Sequence, residues 1–96
     1  MKISVQIQRE IEPLVGTRDE NIRILEEGLN IRTRLVDDAL EIEGDEEAVL
    51  RAESILEDYA ALVGQGQRFT NGDLNAYFRV LIEDKDTSLL RLVESG

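Results

Sequence analysis

A two-layer α+β domain, with a three-stranded sheet and helices packed on one of its faces in the order β-α-β-β-α-α, is the fold class the sequence predicts. Three observations lead there. Residues near the start, and again from 31 to 43, alternate apolar and polar with a period of two, the mark of half-buried strands. Longer stretches between and after them repeat their apolar residues at helical spacing. A chain of 96 residues, 42% hydrophobic, holds one domain and one modest core. Few strands with helices gathered on one side then make an α+β arrangement.

The first strand rests on Ile3, Val5 and Ile7 alternating with Lys2, Ser4, Gln6 and Gln8. Pro13 interrupts residues 10–15 and leaves room for one turn at most, because proline cannot sit inside a helix. Thr17 and Glu20 match a capping box, a hydroxyl at the N-cap with a carboxylate three residues on. Ile22, Leu25 and Leu29 follow at helical spacing, and Gly28 is expected to supply the left-handed stop.

A hairpin comes next. Ile31, Thr33 and Leu35 alternate with Arg32, Arg34 and Val36; beyond Asp37-Asp38, Leu40 and Ile42 alternate with Ala39, Glu41 and Glu43. A two-residue loop sets Arg34 opposite Glu41, Arg32 opposite Glu43 and Leu35 opposite Leu40. That predicts cross-strand ion pairs on one face and apolar pairs on the other.

Gly44-Asp45 opens the second helix, with Asp45 the expected N-cap and Glu46 and Glu47 favourable near the positive helix end. Its stripe is Val49, Ala52, Leu56, Tyr59 and Val63, broadened by Ala48, Ile55 and Leu62. Gly64-Gln65-Gly66 ends it. Thr70 with Asp73 caps a third helix lined by Leu74, Tyr77, Phe78 and Leu81. Tyr77 and Phe78 therefore belong to the core and not to a base-stacking surface. The domain is expected to occupy residues 1–83. Residues 84–96 form a C-terminal extension, in which Leu89, Leu90, Leu92 and Val93 suggest a short helix or a linker.

Twenty-one acids against eleven bases give a net charge of −10, so the chain as a whole repels phosphate backbones and anionic lipid. It has neither Cys nor His, which removes disulfides, thiol nucleophiles and the commonest general base and metal ligand. No catalytic set remains, so no enzyme activity, no cofactor and no metal are expected of this chain. The acidic clusters Asp37-Asp38, Asp45-Glu46-Glu47 and Glu83-Asp84-Lys85-Asp86 fall in turns and at a helix start, where solvated charge is ordinary. No apolar run approaches a membrane span. A cytoplasmic protein is expected.

Gly16-Thr17-Arg18-Asp19, placed between the first strand and the first helix, resembles the Gly-x-x-Gly loop of the KH module, with Asp in place of the second glycine. In that module the loop backbone clamps nucleotides. A narrower resemblance runs from about Ile3 to about Leu81. Pro13-Leu14-Val15-Gly16, Asp19-Glu20-Asn21-Ile22, Leu25-Glu26-Glu27, Ile42-Glu43-Gly44, Glu47-Ala48-Val49, Ala52-Glu53 and the glycine-then-Thr70 start of the third helix look like the N-terminal domain of PhoH-like proteins. In that family the domain precedes a P-loop ATPase domain linked to phosphate starvation and RNA metabolism. A Walker motif is missing here: neither lysine, Lys2 or Lys85, follows a glycine loop. The resemblance thus implies an accessory domain, with ATP and magnesium expected only for an ATPase domain this chain does not contain.

Two functions follow from the resemblance and the charge. One is RNA engagement or assembly of the parent ATPase, with Gly16, Thr17, Arg18 and Arg23 the candidate contacts to single-stranded RNA. The other is a protein-interaction or homo-oligomerisation module that binds no nucleic acid. Asp19 and Glu20 weigh against a working clamp. They stabilise a helix start by a few tenths to ~1 kcal/mol each, and repel a phosphate at the same place.

Overall fold

The computed structural model describes residues 1–6, 20–36 and 39–95. Three strands, β1 (Lys2–Gln6), β2 (Arg32–Val36) and β3 (Ala39–Glu43), form one antiparallel sheet in the order β1-β3-β2. Among the described residues four helices follow the predicted order with one more at the end: α1 (Glu20–Leu29), α2 (Glu46–Gly64), α3 (Asn71–Glu83) and α4 (Leu89–Ser95). Val5, Leu40 and Ile42 point from the sheet into the helical layer and are buried, while Lys2, Ser4, Gln6, Arg32, Arg34 and Glu43 are exposed on the other face. That is the two-layer α+β architecture read from the sequence.

The hairpin register is the one the alternation demanded. Arg32 pairs with Glu43, Arg34 with Glu41 and Leu35 with Leu40. The ion pairs are not the expected ones. Among the described residues the charge contact on this face joins Glu41 to Lys2 of the neighbouring β1, at 3.8 Å. Because β3 is central, Glu41 has a cation on each side, and register alone does not choose between them. Such an exposed pair is worth ~1 kcal/mol or less.

The first helix also ends differently. Gly28 lies inside α1, and the left-handed residue is Asn30, at φ 56°. Asparagine tolerates this conformation better than most side chains. Gly28 serves packing instead: a Cβ built there would meet Ile82 of α3 at 2.5 Å. The Thr17 capping box lies outside the described residues.

Asp45 occupies the N-cap position of α2 with extended backbone, but its carboxylate makes no capping bond. The other end of α2 closes as a Schellman motif around Gly66, at φ 97°. Gln67 N–H donates to the Leu62 carbonyl (2.9 Å) and Gly66 N–H to that of Val63 (3.0 Å). Thr70 and Asp73 cap α3 reciprocally, each side chain accepting from the other's backbone N–H at 3.1 Å. Thr70→Ala is expected to cost about 1 kcal/mol. A urea titration of this variant, Asp73→Ala and the double variant should give a double-variant loss smaller than the sum of the two, since either change breaks the same box.

Tyr59, Phe69 and Phe78 are the large aromatics of the core. Phe69 packs against Tyr59 at 5.4 Å and meets the half-buried Tyr77 edge-on at 6.2 Å. The C-terminal stretch forms the helix α4, which lies on α2 and α3 and places Leu89 fully inside the core.

Candidate interaction surfaces

The turn at Asn30 sends the chain back from α1 into β2, and one carboxylate locks the two elements together. Glu26 Oε2 accepts from the backbone N–H of Thr33 (2.9 Å) and from its hydroxyl (3.0 Å). As β2 is an edge strand, this contact occupies an outward N–H that a foreign strand would otherwise use. Arg23 stands nearly one helical turn before Glu26 and is exposed. Leu35 stands two residues beyond Thr33 and keeps 48% of its surface in solvent, although its cross-strand partner Leu40 is buried. The α1–β2 edge therefore combines a cation, an accessible apolar side chain and a tied strand edge.

Of the residues proposed as RNA contacts, the structure places Arg23 on this edge. Gly16, Thr17 and Arg18 lie outside the described residues. Among the described residues, the face of the sheet turned away from the helices holds three cations, Lys2, Arg32 and Arg34, against two carboxylates, Glu41 and Glu43. It is locally less acidic than the chain, whose acids outnumber its bases twenty-one to eleven.

Among the described residues, two of the clefts border the helical layer. One, of about 350 Å³, lies between α1, α2 and the end of α3, lined by Gly28, Asp45, Glu47, Arg51, Ile82 and Lys85 among others. Arg51 dominates it: one guanidinium nitrogen donates to the carbonyls of Leu81 (3.0 Å) and Asp84 (3.1 Å), and its buried Nε has no partner among the described residues. This is a cation bound to the negative end of α3. The other cleft, of about 310 Å³, runs between β1 and α2 and is lined by Ser4, Val5, Gln6, Glu53, Glu57 and Ala60.

Among the described residues, no three carboxylates converge to hold a metal ion, and no helix is long and apolar enough to cross a membrane. Sequence reasoning set Leu35 in an apolar pair with Leu40, where the structure leaves it exposed, and it gave no surface role to Arg51, or to Glu53 with Glu57. Glu53 and Glu57 carry a signal in retrospect, since with Ala60 they make a stripe at helical spacing. Arg51 carries none, because its partners are main-chain atoms thirty residues away. Comparison with protein-family models, with curated proteins and with solved structures finds no match for this chain.

Proposed function

We propose that this chain is a non-catalytic, cytoplasmic accessory domain, similar to the N-terminal module of PhoH-like ATPases, that engages single-stranded RNA weakly beside α1 and β2. The carrying observation is Leu35, an exposed apolar residue on the β2 edge, with Arg23 on the adjoining helix. A base rests on apolar surface, and a guanidinium meets the phosphate beside it. The net charge of −10 keeps such binding weak and strongly salt-sensitive. The resemblance adds Gly16, Thr17 and Arg18 as further candidate contacts. The whole domain would present RNA to, or assemble with, the ATPase domain that follows it in the family.

Fluorescence anisotropy with labelled single-stranded RNA tests the reading. Binding is expected at low salt, to be lost in moderate salt, and to be removed by Arg23→Glu without a change in unfolding midpoint. Asp19→Gly, which restores the second loop glycine, should strengthen it. No binding at low salt would sink the RNA reading.

The second reading is a protein-interaction or self-assembly module. Leu50 on α2 and Val80 on α3 favour it, with 44% and 42% of their surfaces exposed. Light scattering over a concentration series tests self-assembly: a monomer throughout leaves only a foreign partner.

A further inference from the structure

The two edges of the sheet are not alike. On β2 the Thr33 N–H is occupied by Glu26. On β1 the alternation of the ladder can be fixed from its end. Gly44 N–H donates to the Met1 carbonyl (3.0 Å), and the Met1 amino group donates to the Gly44 carbonyl (2.8 Å). In an antiparallel pair the residues bonded to the neighbour alternate along the strand, so Met1, Ile3 and Val5 direct their main chain towards β3. Lys2, Ser4 and Gln6 then direct their N–H and C=O groups outward. Among the described residues nothing bonds to the outward groups of Ser4 or Gln6. They open into the cleft of about 310 Å³ beside α2.

We propose that this edge receives an extended basic segment of a partner protein as a fourth strand. Main-chain pairing with Ser4 and Gln6 supplies the register, as in other strand-addition complexes. Charge supplies the choice of partner. Glu53 and Glu57 stand on the α2 stripe that lines the cleft, four residues apart and so about 6 Å apart along the helix. Alternate side chains of an added strand are about 6.7 Å apart, so two successive inward-facing ones fall opposite the two carboxylates. Lysine or arginine at those positions completes both pairs, and a small residue fits opposite Ala60. The Glu53 and Glu57 carboxylates accept no hydrogen bond and form no ion pair among the described residues, so a basic strand displaces no existing partner. The surface is on the opposite edge from Arg23 and Leu35, so this proposal stands or falls separately from the RNA reading.

The test is an NMR titration of the full ¹⁵N-labelled chain with three end-blocked heptapeptides: alternating Lys and Val, alternating Glu and Val, and the Lys–Val sequence with proline at alternate positions. The Lys–Val peptide alone should bind. It should move the amides of Ser4, Val5, Gln6, Glu53 and Glu57, and slow hydrogen exchange at Ser4 and Gln6 by roughly tenfold or more at saturation. Glu53→Gln with Glu57→Gln should weaken it roughly five- to tenfold, as expected for two exposed ion pairs, with the unfolding midpoint unchanged. Equal binding by the proline peptide would reduce the effect to charge attraction and overturn the strand addition. Shifts confined to α1 and β2 would overturn the site. Slowing of the Ser4 and Gln6 amides by protein concentration alone would assign the edge to a second copy of the chain. The same amides moving with single-stranded RNA, and not with peptide, would assign it to nucleic acid.

Discussion

Gly28→Val is expected to destabilise the chain by about 2–3 kcal/mol, at the upper end of the usual cost of overpacking a well-filled contact. The reason is the approach of α1 to α3. A Cβ at position 28 would lie 2.5, 2.8 and 2.9 Å from Cδ1, Cγ2 and Cβ of Ile82. The first two atoms can swing away with the side chain. The Ile82 Cβ moves only with its backbone, so the two helices must separate. Valine recovers roughly 0.5 kcal/mol of helix propensity over glycine, too little to offset this. The loss corresponds to a melting temperature lower by roughly 10–20 °C in a domain of this size. Ile82→Ala in the same chain removes the Cδ1 and Cγ2 contacts but keeps the Cβ at 2.9 Å, so it should restore only part of the loss. A double-mutant cycle by urea denaturation would then give a favourable coupling above ~1 kcal/mol. A Gly28→Val variant as stable as its parent would place the helices farther apart than they stand here.

Arg51→Ala is expected to cost about 2–3 kcal/mol, because two charge-assisted bonds to the end of α3 are lost together with the packing of the side-chain stem. The guanidinium donates to the Leu81 and Asp84 carbonyls where the helix dipole is negative and no basic residue of α3's own last turn serves it. Arg51→Met keeps the stem and should cost about 1–2 kcal/mol, which isolates the hydrogen bonds from the packing. Amide exchange near the end of α3 should quicken in both variants more than in α1. Uniform acceleration across the domain would mean that Arg51 contributes global packing and not a local cap.

Local chemistry carried most of the element assignments. The Thr70–Asp73 box and the Gly64-Gln65-Gly66 stop need only neighbours in the chain, and both formed as their residue types require. The hairpin register followed from alternation on both sides of a two-residue loop, since a slip of one residue would turn Leu40 and Ile42 out of the core. The α2 stripe was legible for the same reason, a periodicity that only one buried face satisfies. The candidate site was legible only in part. Arg23 could be named from the resemblance, whereas the exposure of Leu35 depends on which strand is at the edge. The sheet order β1-β3-β2, which sets β2 at an end of the sheet, joins strands from distant parts of the chain.

Gly28 and Asn30 mark the boundary between the two kinds of information. From the sequence, a glycine near the end of a helical stripe is the natural left-handed stop, and the expectation that one stands there was sound as far as local propensity goes. The structure uses the glycine for its missing side chain, to admit Ile82 from a helix some fifty residues later, and leaves the left-handed turn to asparagine. The sequence by itself determined the described elements, the Thr70–Asp73 cap, the stop of α2, the hairpin register and the α2 stripe, because each depends on residues a few positions apart. The tertiary structure alone decided the Glu41–Lys2 pair, the Arg51 clasp, the Glu26–Thr33 tie and the place of β1 at the end of the sheet. Each of these joins groups from different elements, and their meeting depends on how helices and strands settle over a shared core.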